Sequence, residues 1–81
     1  MFEEVNLILS EWDPIGVGSP ISIYEYKQYV PTLIKHIESR IELEQCLINI
    51  IINLGLCYNS NDEIQKVDIQ NIVDKLYFLQ H

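Results

Sequence analysis

Apolar residues recur at helical spacing from the start of the chain. Phe2, Val5, Ile8, Leu9 and Trp12 fall on one face of an α-helix. Glu3, Glu4, Asn6, Ser10 and Glu11 fill the other faces, and Leu7 alone among the apolar residues stands off the stripe. Asp13-Pro14 predicts the end of this helix, because proline disfavours the α region in the residue before it. Pro14, Gly16, Gly18 and Pro20 then mark a loop. That loop carries Ile15, Val17 and Ile21, so it is expected to lie down on the core.

Ser22-Ile23-Tyr24-Glu25 fits a capping box with Ser22 as N-cap, and Ile21 with Tyr26 takes the hydrophobic-staple positions. A short helix is predicted to start there. Pro31 either kinks it or opens a second one. Leu33, Ile34, Ile37 and Ile41 continue an apolar face. Ser39 and Glu42 form a second capping box, so residues 31–54 read as one helix or two.

Leu43, Cys46, Leu47, Ile50, Ile51 and Leu54 make the broadest apolar face, widened by Ile48 and Ile52. This predicts the central, most buried helix. The Ile50-Ile51-Ile52 run also has strand propensity, but helical spacing over about a dozen residues decides for helix. Gly55 fits the first position beyond a helix, with Leu56 placed to touch Ile51 in a Schellman closure. After a turn at 59–62, Ser60 and Glu63 suggest a third capping box. Ile69, Ile72, Val73, Leu76 and Leu79 form the last apolar face, flanked by Tyr77 and Phe78. The expected fold is all-α: a compact bundle of four to five short helices in one domain, residues 1–81.

Size and charge narrow the function. A domain of 81 residues buries only about 60% of its unfolded surface, and per-residue scaling gives it roughly 4–12 kcal/mol of stability. A deep active-site cavity is not expected, so function is placed on the surface. Five basic against twelve acidic residues give a net charge of −7, with −3 from residues 1–40 and −4 from residues 41–81. A field of that sign repels nucleic acid and anionic membrane and attracts basic proteins. The start of the chain has no signal-peptide pattern, and the apolar stretch from Cys46 to Leu56 is too short to span a bilayer. A cytoplasmic protein with two reduced thiols, Cys46 and Cys57, is expected.

No pattern predicts catalysis, a metal or a cofactor. His36 has no acid at a metal-pair spacing, and His81 is expected to be frayed. Cys46 lies in the apolar helix, where burial makes a thiol inert, and no histidine pairs recognisably with Cys57. Gly16-Val17-Gly18-Ser19 lacks the lysine of a phosphate loop. The acid pairs at 3–4, 42/44 and 62–63 fall near helix starts and complement the helix dipole. The aromatics carry more information. Trp12, Tyr24, Tyr26 and Tyr29 crowd the loop and second helix, interleaved with Glu11, Asp13 and Glu25. Tyrosine and tryptophan serve both cores and interface hot spots.

Trp12-Asp13-Pro14-Ile15-Gly16, followed by Tyr26-Lys27-Gln28-Tyr29-Val30-Pro31, resembles a family of small bacterial helical proteins. Its members share a Trp-Asp-Pro-Ile/Phe-Gly turn and a Tyr-x-x-Tyr-Val-Pro helix entry. Leu54-Gly55-Leu56 is similar to the family's closing Met-Gly-Leu. The chain departs from the pattern at Ser39–Glu44, where Arg40-Ile41 replace a small-residue linker. Proteins of this look include immunity proteins of contact-dependent growth inhibition systems. The resemblance implies a non-enzyme that binds and neutralises a toxin domain, commonly a nuclease. The other reading is a small acidic regulatory or adaptor protein with another protein partner. The candidate contacts are Glu11, Asp13, Tyr24, Glu25 and Tyr26, with Asp62 and Glu63 as a second patch. Read without the family, the same turn is structural: Trp12 plugs the core, Asp13 binds amides after Pro14, and Gly16 takes a positive φ.

Overall fold

In a computed structural model, residues 1–80 form a bundle of five α-helices and one 3-10 turn, with no strand among these described residues. The expectation for His81 falls outside them. The helices are α1 (Phe2–Trp12), α2 (Ile21–Glu25), α3 (Val30–Lys35), α4 (Arg40–Asn53) and α5 (Glu63–Phe78), with the 3-10 turn Lys27–Tyr29 between α2 and α3. The all-α bundle is therefore as expected. No helix among the described residues is long and apolar enough to cross a membrane.

Residues 31–54 form two helices. The chain breaks at 36–39, and Ser39 then caps α4 by accepting from the Glu42 N–H at 3.3 Å. Pro31 stands in the first turn of α3, where its missing N–H costs no helical bond. Gly55 closes α4 at φ +82°. Its N–H donates to Ile52 O at 3.0 Å, and the Leu56 N–H donates to Ile51 O at 3.1 Å. That is the Schellman closure its position foretold.

Two predicted caps are misplaced. Ser22 is not an N-cap: α2 already begins at Ile21 behind Pro20, and Ser22 is buried in its first turn. Ile21, at the supposed staple position, is exposed. Ser60 is likewise passed over. Asn59 turns the chain by accepting from the Asn61 N–H, and Asp62 caps α5 by accepting from Ile64 and Gln65. In both cases the preceding turn decides where helical dihedrals begin.

The core takes Val5 and Leu9 from α1, Val30 and Leu33 from α3, Leu43 and Leu47 from α4, and Ile69, Val73 and Leu76 from α5. Helix α4 is not the central element. It packs on α5 and, more lightly, on α3, whereas α1 touches α2, α3 and α5. Ile41, assigned to the apolar face before the break, is 76% exposed, because the break turns its helix position to solvent. Ile52 is exposed as well, and Ile48 only partly buried.

Candidate protein-binding surface

The tryptophan-proline turn is a closed hydrogen-bond network. Asp13 ends α1 in the left-handed region at φ 43°. Its Oδ1 accepts the Tyr26 hydroxyl at 2.6 Å and the Val17 N–H at 3.1 Å, and its Oδ2 accepts the Gly18 N–H at 2.9 Å. The Ile15 N–H donates to the Tyr26 oxygen at 3.3 Å. Gly16 and Gly18, at φ +67° and +76°, supply the positive dihedrals that wrap the loop around the carboxylate. The hydroxyl of Tyr26, with the loop amides, holds the Asp13 carboxyl below its ordinary range. Burial, then the hydrogen bond to Asp13, pushes the Tyr26 phenol up to about 12.

This network corrects one of the candidate contacts, Tyr26, and gives a second, Asp13, a structural task. Tyr26 is fully buried, and its only polar atom is committed to the turn. The lone pairs of Asp13 are engaged by three donors from its own chain. Tyr26 is therefore not offered to a partner, and Asp13, half-buried, is engaged chiefly within its own turn. Trp12 is half-buried against the core, and its Nε1–H donates to Asp68 Oδ2 of α5 at 2.8 Å. The motif that carries the family resemblance therefore builds the fold.

The remaining candidates are at the surface. Tyr24 is 68% exposed on α2, Glu11 is exposed at the end of α1, and Glu25 is half-buried. Asp62 and Glu63 are exposed at the start of α5. Asp62 is occupied as a cap, and the Glu63 carboxylate lies 4.0 Å from Lys66 Nζ, so this second patch serves its own helix.

A groove between α1 and α2, about 320 Å³ in volume, was absent from the expected site. Phe2, Glu3, Asn6 and Leu7 line it from α1, Ile23 and Lys27 from the other side. Phe2, Leu7 and Ile23 are exposed there. Asn6 crosses the base, its Nδ2 donating to Ile23 O at 2.8 Å over seventeen residues of sequence. The one sequence signal for it was Leu7, an apolar residue off the α1 stripe.

Glu3, Glu11 and Glu25 have no ion pair among the described residues, whereas Glu42 meets His36 and Asp74 meets Arg40. His36 Nδ1 lies 3.3 Å from Glu42 Oε1, a contact that the spacing along the chain did not point to. It spans the α3–α4 break and is not periodic. A second cleft, lined by Tyr29, Thr32, Cys46, Asn49 and Asn53, lies between α3 and α4. Burial, and less so Glu42, pushes the Cys46 thiol up, which keeps it protonated and unreactive. Cys57 is exposed, and both thiols are free. Among the described residues no three His, Cys, Asp or Glu side chains converge as metal ligands would. No protein-family model, curated protein or solved structure matches the chain.

Proposed function

We propose that the chain is a binding protein that neutralises a basic toxin domain, an immunity protein of a contact-dependent growth inhibition system acting inside the producing cell. The observation that carries this reading is the α1–α2 face. There Phe2, Leu7 and Ile23 stand exposed around a groove lined also by Glu3 and Lys27, Tyr24 is exposed on α2, and Glu3, Glu11 and Glu25 have no ion pair among the described residues. Exposed apolar groups within an acidic surface suit a basic partner. The apolar anchors supply affinity by leaving water, and the bare carboxylates steer encounter and fix orientation. The toxin class comes from the resemblance carried by Trp12–Gly16 and Tyr26–Pro31. A nuclease cleft is basic because it holds a phosphate backbone, and a domain of charge −7 would cover such a cleft by occlusion.

Where a toxin gene lies beside the gene for this chain, coexpression with its toxin domain tests the reading directly. Cells carrying both should survive, and cells carrying the toxin alone should die. Continued killing in the presence of the folded chain would refute neutralisation. In a purified pair, raising salt should slow association far more than dissociation.

The adaptor reading keeps one structural support. Ile41 and Ile52 on the solvent side of α4, with Ile64, Val67 and Phe78 on α5, are exposed apolar residues that the α1–α2 face does not explain.

A further inference from the structure

We propose that the groove between α1 and α2 receives a single arginine or lysine side chain of the basic partner. The inference rests on the reading above for the identity of that partner, and on the groove itself for the chemistry.

The first observation is an unpaired acceptor. Asn6 is 6% exposed, and its Nδ2 is bonded to Ile23 O. Its Oδ1 is enclosed and has no hydrogen-bond partner. A buried carbonyl oxygen without a donor is costly, and native folds retain few of them. Because Oδ1 has no accessible surface, a donor N–H in the groove reaches it only when the Asn6 side chain, which lines the groove, turns outward to meet it. Ser10, beside it, donates its hydroxyl to Leu7 O at 2.8 Å, which leaves its own lone pairs free to accept.

The second observation is charge. Glu3 lines the same groove and has no cation paired to it among the described residues. The third is the wall. Phe2 and Ile23 are 42% and 39% exposed, and Leu7 is 55% exposed. Apolar walls with an acceptor and a carboxylate fit a side chain that has an aliphatic stem and a cationic N–H head. The volume, about 320 Å³, is at the lower limit for small-molecule sites, so it suits one long side chain.

Lys27 opposes this arrangement. It lines the far wall, and its Nζ stands 5.0 Å from the centroid of the Tyr24 ring. That contact holds its charge on the α2 side, and the incoming head is placed at Glu3. Lys27 therefore weakens binding, and removing it should tighten binding.

The test uses the intact chain and N-acetyl-argininamide, followed by two-dimensional NMR of backbone and side-chain amides. N-acetyl-glycinamide at matched ionic strength is the control. Saturable millimolar shifts are expected at the Asn6 side-chain amide, Leu7 and Ile23, with none in the control. Glu3→Gln and Leu7→Ser, both at exposed positions, should each weaken binding roughly two- to fivefold, and Lys27→Gln should tighten it by a similar factor. Asn6→Leu should abolish the saturable shift, with circular dichroism confirming that the helices remain. No saturable shift, or equal shifts from the glycinamide control, overturns the proposal. So does binding that is unchanged in both Glu3→Gln and Leu7→Ser. If argininamide fails while the chain still protects cells from the toxin, the groove assignment falls and the inhibitor reading stands. If argininamide binds but the cells die, the reverse holds.

Discussion

The two halves of the bundle are held by different physics. From α1 to the 3-10 turn, the chain is fastened by named polar atoms: one carboxylate gathers a phenol and two loop amides, and an indole N–H ties α1 to α5. In the α4–α5 hairpin the polar bonds lie in the connecting loop, where Gln65 accepts from the Asn59 N–H at 2.8 Å and donates to Cys57 O at 3.0 Å, and not between the helices. The helices themselves close on Leu43, Leu47, Ile50, Ile69, Ile72 and Val73, with the Arg40–Asp74 pair at the surface between them. A polar clasp specifies one geometry, because its donors fit only one arrangement of the loop. An apolar seam is tolerant, so it can also leave Ile41, Ile52 and Ile64 outside without losing its fold. The clasp also has a functional consequence. It uses Asp13 and Tyr26 internally, while Glu3, Glu11 and Glu25 have no ion pair among the described residues.

The comparison breaks most visibly on truncation of buried side chains. Tyr26→Ala should cost about 3–5 kcal/mol and Leu47→Ala about 2–5 kcal/mol in urea unfolding. Against roughly 4–12 kcal/mol in total, either change takes a large share of the stability. If Tyr26→Ala were as mild as a surface change, the buried position of Tyr26 would be wrong.

Tyr26→Phe sharpens the contrast by removing one atom. It deprives Asp13 of its shortest partner and should cost about 1–3 kcal/mol. Amide hydrogen exchange should quicken at Val17 and Gly18 while Leu47 and Val73 keep their protection. Uniform quickening across both halves would mean that the clasp is not a local device.

pH probes the same clasp without mutation. The folded-state pKa of Tyr26, raised from 10.0 to about 12, means its contribution is complete below pH 10 and lost as pH rises through 12. That of Asp13 is lowered from 3.8, so its contribution is complete above that value and lost as pH falls through the lower folded one. The contribution of the clasp should be flat between these limits, and Tyr26→Phe should shrink the alkaline loss. An unchanged alkaline loss in that variant would assign it to other groups.

The smallest effects belong to the outer face of the hairpin. Ile41→Gln and Ile52→Gln should each change stability by less than about 0.5 kcal/mol, because both side chains are already in water. A larger loss in dilute solution would show that this face is covered.

How much of this was legible follows from range. The four apolar faces, the Ser39 capping box and the Gly55 closure all depend on residues within about one turn of each other, although the capping box leaves open whether residues 31–54 form one helix or two. So does the grip of Asp13 on the amides after Pro14. The false caps at Ser22 and Ser60 show the limit of local reading, since a Ser-x-x-Glu pattern does not know which residue the incoming turn delivers first. The candidate site was half legible. Glu11, Tyr24 and Glu25 are at the surface as required, but Tyr26 shared their composition and went to the core.

The sequence alone determined the helices, their apolar faces and the sign of the surface field, because these follow from spacing, cap chemistry and charge. Only the tertiary structure decided that Tyr26 faces Asp13 across thirteen residues and that Asn6 meets Ile23 across seventeen. Those pairings arise where separate helices pack together. Burial there turns one tyrosine into a structural donor and leaves one amide oxygen without a partner, and neither outcome is encoded in local periodicity.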